Sequence, residues 1–161
     1  MVRVSGFDEL VNEHGEWLAR LCWLLTLDHD DAADVAQETL TRAWRDRDAL
    51  ILHPEPAAWL RRVALNLCFD RSRRRSARRR RGHLVAVDEH QAPAPVELDL
   101  HRAIARLSPR QRQAVVLRYW HDLDVAACAD AMGVSTGSVK QHLSRAQTAL
   151  ADAPELAREE P

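Results

Sequence analysis

Apolar residues return every three or four positions along almost the whole chain, the spacing that lines one face of an α-helix, and strand-like alternation is almost absent. Phe7, Leu10, Val11, His14, Leu18, Leu21, Cys22 and Leu25 mark a first helix, predicted over about Phe7–Leu27. Asp28 to Asp31 offers turn and N-cap chemistry. A second helix is expected from about Asp31 to Asp46, with Val35/Ala36, Thr39/Leu40 and Ala43/Trp44 as its inward pairs. His53–Pro54–Glu55–Pro56 then breaks the chain, because each proline drives the residue before it out of the helical region. Pro56 suits the first turn of a third helix, whose buried side is predicted to be Trp59, Leu60, Val63, Ala64, Leu67 and Cys68.

From about Ser76 to Val96 the periodicity fades and Pro93 and Pro95 appear. A stretch of roughly twenty residues is too long for a loop inside one small domain, so it reads as a linker. Periodicity restarts at Leu100, Ile104 and Leu107, and Ser108–Pro109 is an N-cap followed by proline at the first helical position. Val115, Val116, Tyr119 and Trp120 are expected to line that helix inside. A short helix from about Leu123 to Met132 and a last one to about Leu150 follow. Between them Gly133 offers the positive φ of a sharp turn and Ser135 an N-cap, the punctuation of a helix-turn-helix. Val139 and Leu143 would face inward. Thr136, Ser138, Lys140, Gln141, Ser144 and Arg145 would face outward, where such a helix reaches base edges and phosphates in a major groove. The expected fold is all-α, two small helical domains joined by a flexible linker. The boundaries are residues 1–75, a linker at 76–97, the helix-turn-helix domain at 98–152 and an acidic tail at 153–161.

Composition sharpens this picture. The net charge of the 161 residues is −1, yet the charges are segregated. Acidic residues prevail from Asp8 to Asp48. Arg71, Arg73, Arg74, Arg75, Arg78, Arg79, Arg80 and Arg81 then crowd one stretch, and the tail is acidic again. The arginines continue a helix whose polar stripe already carries Asn66 and Asp70, so Arg71, Arg73 and Arg74 are read as phosphate contacts on the same rod. No run is long and apolar enough to span a membrane, and the acidic N-terminus does not read as a signal peptide. Cys22, Cys68 and Cys128 lie far apart with no Cys-x-x-Cys, which points to buried thiols in a reducing, cytoplasmic setting. The eight histidines lack ligand spacing, so no metal is expected, and no cofactor. Gly133–Val134–Ser135–Thr136–Gly137 matches the hydrolase pattern G-x-S-x-G, but that motif needs a strand-to-helix turn and this chain offers no sheet. No catalytic residue is assigned and the chain is not read as an enzyme. The five tryptophans mostly fall on apolar stripes and are expected in the cores.

An exposed helix needs only mixed charge, and the second helix carries a more organised face that reads equally as solvated surface or as a contact. Asp34, Gln37, Glu38, Thr41 and Arg42 form a single polar face on the second helix. The stretch Asp34–Val35–Ala36–Gln37–Glu38–Thr39–Leu40–Thr41–Arg42–Ala43–Trp44 resembles conserved region 2 of bacterial sigma factors. Trp59–Leu60–Arg61–Arg62–Val63–Ala64–Leu65–Asn66, Asp70 and the arginines resemble the rest of that region. Leu107–Ser108–Pro109–Arg110–Gln111–Arg112, Leu117–Arg118–Tyr119, Gly137–Ser138–Val139–Lys140 and Arg145–Ala146 resemble region 4. Order, spacing and the missing middle domain are those of the extracytoplasmic-function (ECF) group, over nearly the whole chain. The helix before the turn departs from the pattern, with Ala127–Cys128–Ala129 in place of an acidic-Ile-Ala run.

The resemblance implies a subunit that binds RNA polymerase core and directs it to promoter DNA. Asp34, Gln37, Glu38, Thr41 and Arg42 would dock on the polymerase. The loop from about Asp48 to Pro56, including His53, with Asn66 and Asp70, would engage the separated strand of the minus-ten element. Lys140, Gln141, Ser144 and Arg145 would read the minus-thirty-five element, and the linker would pass near the RNA exit path. An anti-sigma factor is a further implied partner. The alternative is a LuxR-type regulator, which shares Leu107–Ser108–Pro109–Arg110 and Val139–Lys140–Gln141–His142–Leu143 but would carry an α/β receiver or a ligand pocket in its first half. An RNA-binding or scaffold protein using the arginines would leave the Asp34–Trp44 face unexplained.

Overall fold

The hinge between the first two helices is built by Thr26, Leu27 and Asp28. In the computed structural model, which describes residues 3–80 and 101–152 (side chains of 6–77 and 101–152), α1 covers Arg3–Thr26 and α2 covers His29–Arg45. Leu27 ends α1 in the left-handed region at φ 59°, a conformation that closes helices even for a non-glycine residue when local bonds hold it. Those bonds are present: the Leu27 amide donates to the Trp23 carbonyl at 2.9 Å. The Thr26 hydroxyl lies 2.9 Å from the Cys22 carbonyl and 3.1 Å from that of Asp28. Asp28 then caps α2, its carboxylate accepting from the Asp31 amide at 2.9 Å. The predicted cap chemistry is thus realised at Asp28. Helix α1 begins one turn before the expected Phe7, because the apolar stripe marks where burial starts and the backbone ladder runs further.

Two further helices follow: the short α3 (Arg47–Leu50) and the 25-residue α4, which starts at Pro56 as expected and continues to Arg80. The end of α4 therefore reaches five residues into the stretch read as linker. Packing divides the chain into two units, Met1–Cys68 and Phe69–Pro161, so the end of α4 falls in the second. In the first, Leu18, Leu21 and Cys22 are fully buried, and Phe7, Leu10, Ala43, Leu50 and Leu60 form a core cluster flanked by Val11, Trp17 and Trp59. Trp44 departs from expectation. It is 43% exposed, edge-on to Phe7 at 5.0 Å with the Arg47 guanidinium 4.5 Å from its ring. Ala32, Val35, Thr39 and Ala43 take the centre of the α2 stripe, which leaves Trp44 at its margin. His14 is buried and accepts from the Trp17 indole at Nδ1, 3.1 Å away.

The second unit contains helical residues 101–105 (α5), α6 (Pro109–Val115), a π-helical turn (Val116–Trp120), α7 (Val125–Met132) and α8 (Thr136–Ala151). Ser108 and Gln111 form a full capping box at the start of α6. Arg112 is buried and donates to the carbonyls of Ile104 and Leu107 at 3.3 and 3.1 Å, satisfying acceptors that the end of α5 leaves open. The core comprises Leu107, Ala114, Val116, Leu117, Cys128, Met132, Val139 and Ala146. All three cysteines are buried thiols, as expected.

The inward placement of Tyr119 and Trp120 is corrected by the structure: they are 59% and 43% exposed. The cause is the wide turn, in which the His121 amide donates to the Val116 carbonyl, five residues back, at 3.2 Å. An extra residue per turn rotates everything after it relative to the α-helical stripe. Leu143 is likewise only half-buried, and Val139 alone of that pair is fully enclosed. The remainder of the predicted linker (81–97), the start of the second domain at 98–100 and the tail at 153–161 lie outside the described residues.

Gly133 closes α7 at φ 64°, and a Cβ added there would meet no atom within 4 Å. The cost of Gly133→Ala is therefore purely that of the left-handed backbone, about 1–2 kcal/mol, read from the denaturant midpoint. Gly133→Asn should cost less, since Asn tolerates this region. Equal losses would show that sterics, not backbone conformation, select glycine.

Candidate nucleic-acid interface

Burial of Val35, Thr39 and Ala43 turns the opposite side of α2 to solvent. Asp34, Gln37 and Arg42 are exposed there, with Glu38 and Thr41 half-buried. Arg42 Nε donates to Glu38 Oε1 at 2.9 Å, with both side chains 45% exposed. The Thr41 hydroxyl donates to the Gln37 carbonyl at 2.8 Å. An i,i+4 pair at this exposure adds only about 0.3–0.5 kcal/mol, so folding alone does not account for so ordered a face. All five residues read as a polymerase contact in the sequence stand together on it.

The loop that follows α3 exposes two apolar side chains, Ile51 at 39% and Leu52 at 84%. Beside them His53 is exposed, and its Nδ1 accepts from the Glu55 amide at 2.9 Å. On α4, Asn66 and Asp70 are exposed one turn apart, followed by half-buried Arg71 and exposed Arg73 and Arg74.

In the second unit α7 and α8 form the expected helix-turn-helix. The Asp124 carboxylate caps α7 through the Ala127 amide at 2.7 Å, and Ser135 caps α8 through the Ser138 amide at 3.1 Å. With Val139 buried, Thr136, Lys140, Gln141, Ser144 and Arg145 are exposed on α8. Ser138 is half-buried, and its hydroxyl shares a 2.9 Å hydrogen bond with Ser135. It belongs as much to the cap as to the outward row. Arg110 holds the other side of the turn, donating to the Met132 carbonyl at 3.1 Å and to Gln113 at 3.0 Å. Burial lowers the Arg110 pKa from its usual value.

Some residues at these surfaces escape the sequence reading. Leu52 lies in Ile51–Leu52–His53–Pro54, an apolar pair just ahead of a helix break, and that placement was the available signal. Arg110 and His142 stood in the sequence only as parts of the family resemblance, with no role given to either. His142 sits half-buried on α8, its pKa lowered by burial and then by the positive charges of Arg110 and Arg145. Among the described residues no cluster of His, Cys, Asp and Glu could hold a metal ion, and no helix is long and apolar enough to cross a membrane.

Residues 10–78 match the family Sigma-70 region 2 and residues 97–150 match Sigma-70, region 4. The ECF RNA polymerase sigma factor SigL of Mycobacterium tuberculosis is 35% identical over 168 residues, 93% of this chain and 94% of that one. The chain belongs to the ECF sigma factor family. SigM of the same species is 31% identical over 153 residues, 91% of this chain and 76% of SigM. Among solved structures, the Bartonella quintana sigma factor RpoE, captured with the anti-sigma factor NepR, superposes with a TM-score of 0.78. At 24% identity, over 96% of this chain and 98% of that one, it confirms the two-part helical fold. This ECF sigma factor therefore acts in promoter recognition at transcription initiation, and the LuxR-type alternative finds no support. Sigma factors are non-enzymatic components of initiation.

The depressed His142 pKa has a definite consequence for stability. Below about pH 6.5, the ordinary histidine value, the unfolded chain binds this proton more readily than the folded one, so the contribution is present above that pH and is lost as pH falls. His142→Gln should therefore flatten the decline of the urea midpoint between about pH 7 and pH 5. A variant whose midpoint falls in parallel with the parent would contradict the assignment.

Proposed function

We propose that the region 2 part and the region 4 part of this chain divide the work of a sigma factor as follows. Asp34, Gln37, Glu38, Thr41 and Arg42 dock on RNA polymerase core. His53 and its loop, with Asn66 and Asp70, hold the opened strand of the minus-ten element, while Arg71, Arg73 and Arg74 neutralise backbone phosphates. Thr136, Ser138, Lys140, Gln141, Ser144 and Arg145 meet the minus-thirty-five element in the major groove. The domains run over 1–75 and 98–152 with a connecting segment between them and an acidic tail after 152. The protein works in the cytoplasm, where polymerase and promoter are, and it contributes binding energy while the polymerase performs the chemistry. An anti-sigma factor completes its set of partners; relatives of this fold have been solved with one.

The observation that carries this reading is the pair of organised, solvent-facing rows on α2 and α8, neither of which folding requires. Charge distribution supports it as well. The basic groups are split between the end of α4 and α8, so each surface alone neutralises few phosphates and holds bare duplex weakly, because counterion release scales with the phosphates neutralised. Sequence-specific nanomolar binding by the isolated chain at physiological salt would contradict this reading.

Two sets of variants separate the roles. Lys140→Ala or Arg145→Ala should weaken promoter binding by holoenzyme by about 1–3 kcal/mol, measured by filter binding, with core association unchanged. Glu38→Ala combined with Arg42→Ala should do the reverse, weakening co-elution with core before any DNA is added. Swapped phenotypes, or loss of both functions in both sets, would overturn the division.

A further inference from the structure

The arginine stretch of α4 holds two serines to which promoter binding gives no task. Ser72 and Ser76 stand one helical turn apart and open, with Asp70, Arg73 and Arg74, onto one cavity of about 500 Å³. Ser76 is exposed and Ser72 half-buried. Arg73, Arg74 and Arg75 directly precede Ser76, whereas Ser72 follows Phe69, Asp70 and Arg71. Helical register places position 73 at i−3 from Ser76 and positions 79 and 80 at i+3 and i+4, so arginines flank it one turn away on either side.

This end of α4 also carries like charges at helical spacing, with arginines recurring at i,i+4 at positions 71/75, 74/78 and 75/79. Each such pair works against the helix, and a bound anion relieves it. The segment can therefore present an extended serine to an enzyme at small cost. Once an anion sits among the arginines, it can close again as a helix.

We infer that Ser76 is a phosphate-acceptor site for a serine kinase whose substrate groove is acidic, and that its modification withdraws α4 from DNA. A nucleoside triphosphate supplies the γ-phosphoryl group. The bond from Ser76 Oγ to phosphorus forms, the bridge between the β- and γ-phosphorus breaks, the diphosphate leaves with the bonding pair, and the hydroxyl proton passes to the base of the kinase. The phosphoserine brings a charge of about −1.5 to −2 and three acceptor oxygens. Arg73, one turn away, pairs with it, and an arginine paired within the helix no longer neutralises a DNA phosphate. The inference rests on reading α4 as a DNA contact, but the phosphoryl transfer itself is scored without that reading.

The test uses the full chain, a basophilic serine kinase with magnesium and ATP, and peptide mass mapping. One phosphoryl group is expected on Ser76 in the parent and in Ser72→Ala, and none at that peptide in Ser76→Ala. Holoenzyme assembled with the modified chain should occupy a promoter at least about tenfold more weakly, with a salt dependence shallower by about 0.9 for each arginine withdrawn. Unmodified Ser76→Ala should transcribe like the parent. Failure of Ser76 to accept phosphate, or full modification with occupancy and salt slope unchanged, overturns the inference. Failure of unmodified holoenzyme to occupy the promoter counts against the sigma assignment instead.

Discussion

The pairing of α1 with α2 is the interaction on which the exposed polar face of α2 depends. α2 is polar over most of its circumference and would not persist as an isolated helix of this length. It is held because Ala32, Val35, Thr39 and Ala43 are buried in the unit where Leu18, Leu21 and Cys22 of α1 are also fully enclosed. Thr39 shows how demanding that burial is. Its hydroxyl has no access to water and is returned to the Val35 carbonyl at 2.8 Å, so the stripe tolerates a polar atom only because the helix satisfies it internally. With the inward side fixed in this way, helical geometry leaves Asp34, Glu38 and Arg42 no alternative to the outward side.

A comparable constraint operates in the second unit, but it is placed in the backbone. The outward row on α8 is useful only if α8 leaves the turn at a set angle. That angle is set by a left-handed Gly133 at the end of α7, followed by the Ser135 cap at the start of α8. The Arg110 guanidinium reinforces the turn by taking the Met132 carbonyl, an acceptor exposed by the end of α7. Such positions specify where side chains point without touching DNA. Substitutions here would resemble defects in recognition while being defects of geometry.

Features that depend on one residue's own chemistry were legible in the sequence. Asp28, Ser108, Gly133 and Ser135 announce their roles through capping and positive φ, and the structure uses each as read. Features set by the sum of a helix's neighbours were not. Trp44 looks apolar and inward by spacing, yet Ala43 occupies the central position and Trp44 the margin. Tyr119 and Trp120 follow an α-helical register that the π-turn at Val116–Trp120 interrupts, and no residue type marks such a turn. The outward polar rows of α2 and α8 were legible because polarity at helical spacing is local information. Leu52 was harder to see, since an apolar residue reads as core until the loop around it is built.

Segregated charge links these surfaces to one another. The basic groups that suit DNA are confined to the end of α4 and to α8, while α1 and the tail carry acid. Over the Debye length of about 8 Å at physiological ionic strength, each site is governed by its own neighbourhood and not by the net charge of −1. Isolated, either basic surface makes too few phosphate contacts to hold duplex in competition with salt. On the proposed reading, docking through α2 would deliver both to the promoter as linked ligands, and their joint affinity would then depend on effective concentration more than on any single contact. Weak separate contacts are thus the condition that makes promoter binding conditional on polymerase, because a chain with tighter ones would occupy DNA alone and remove that dependence.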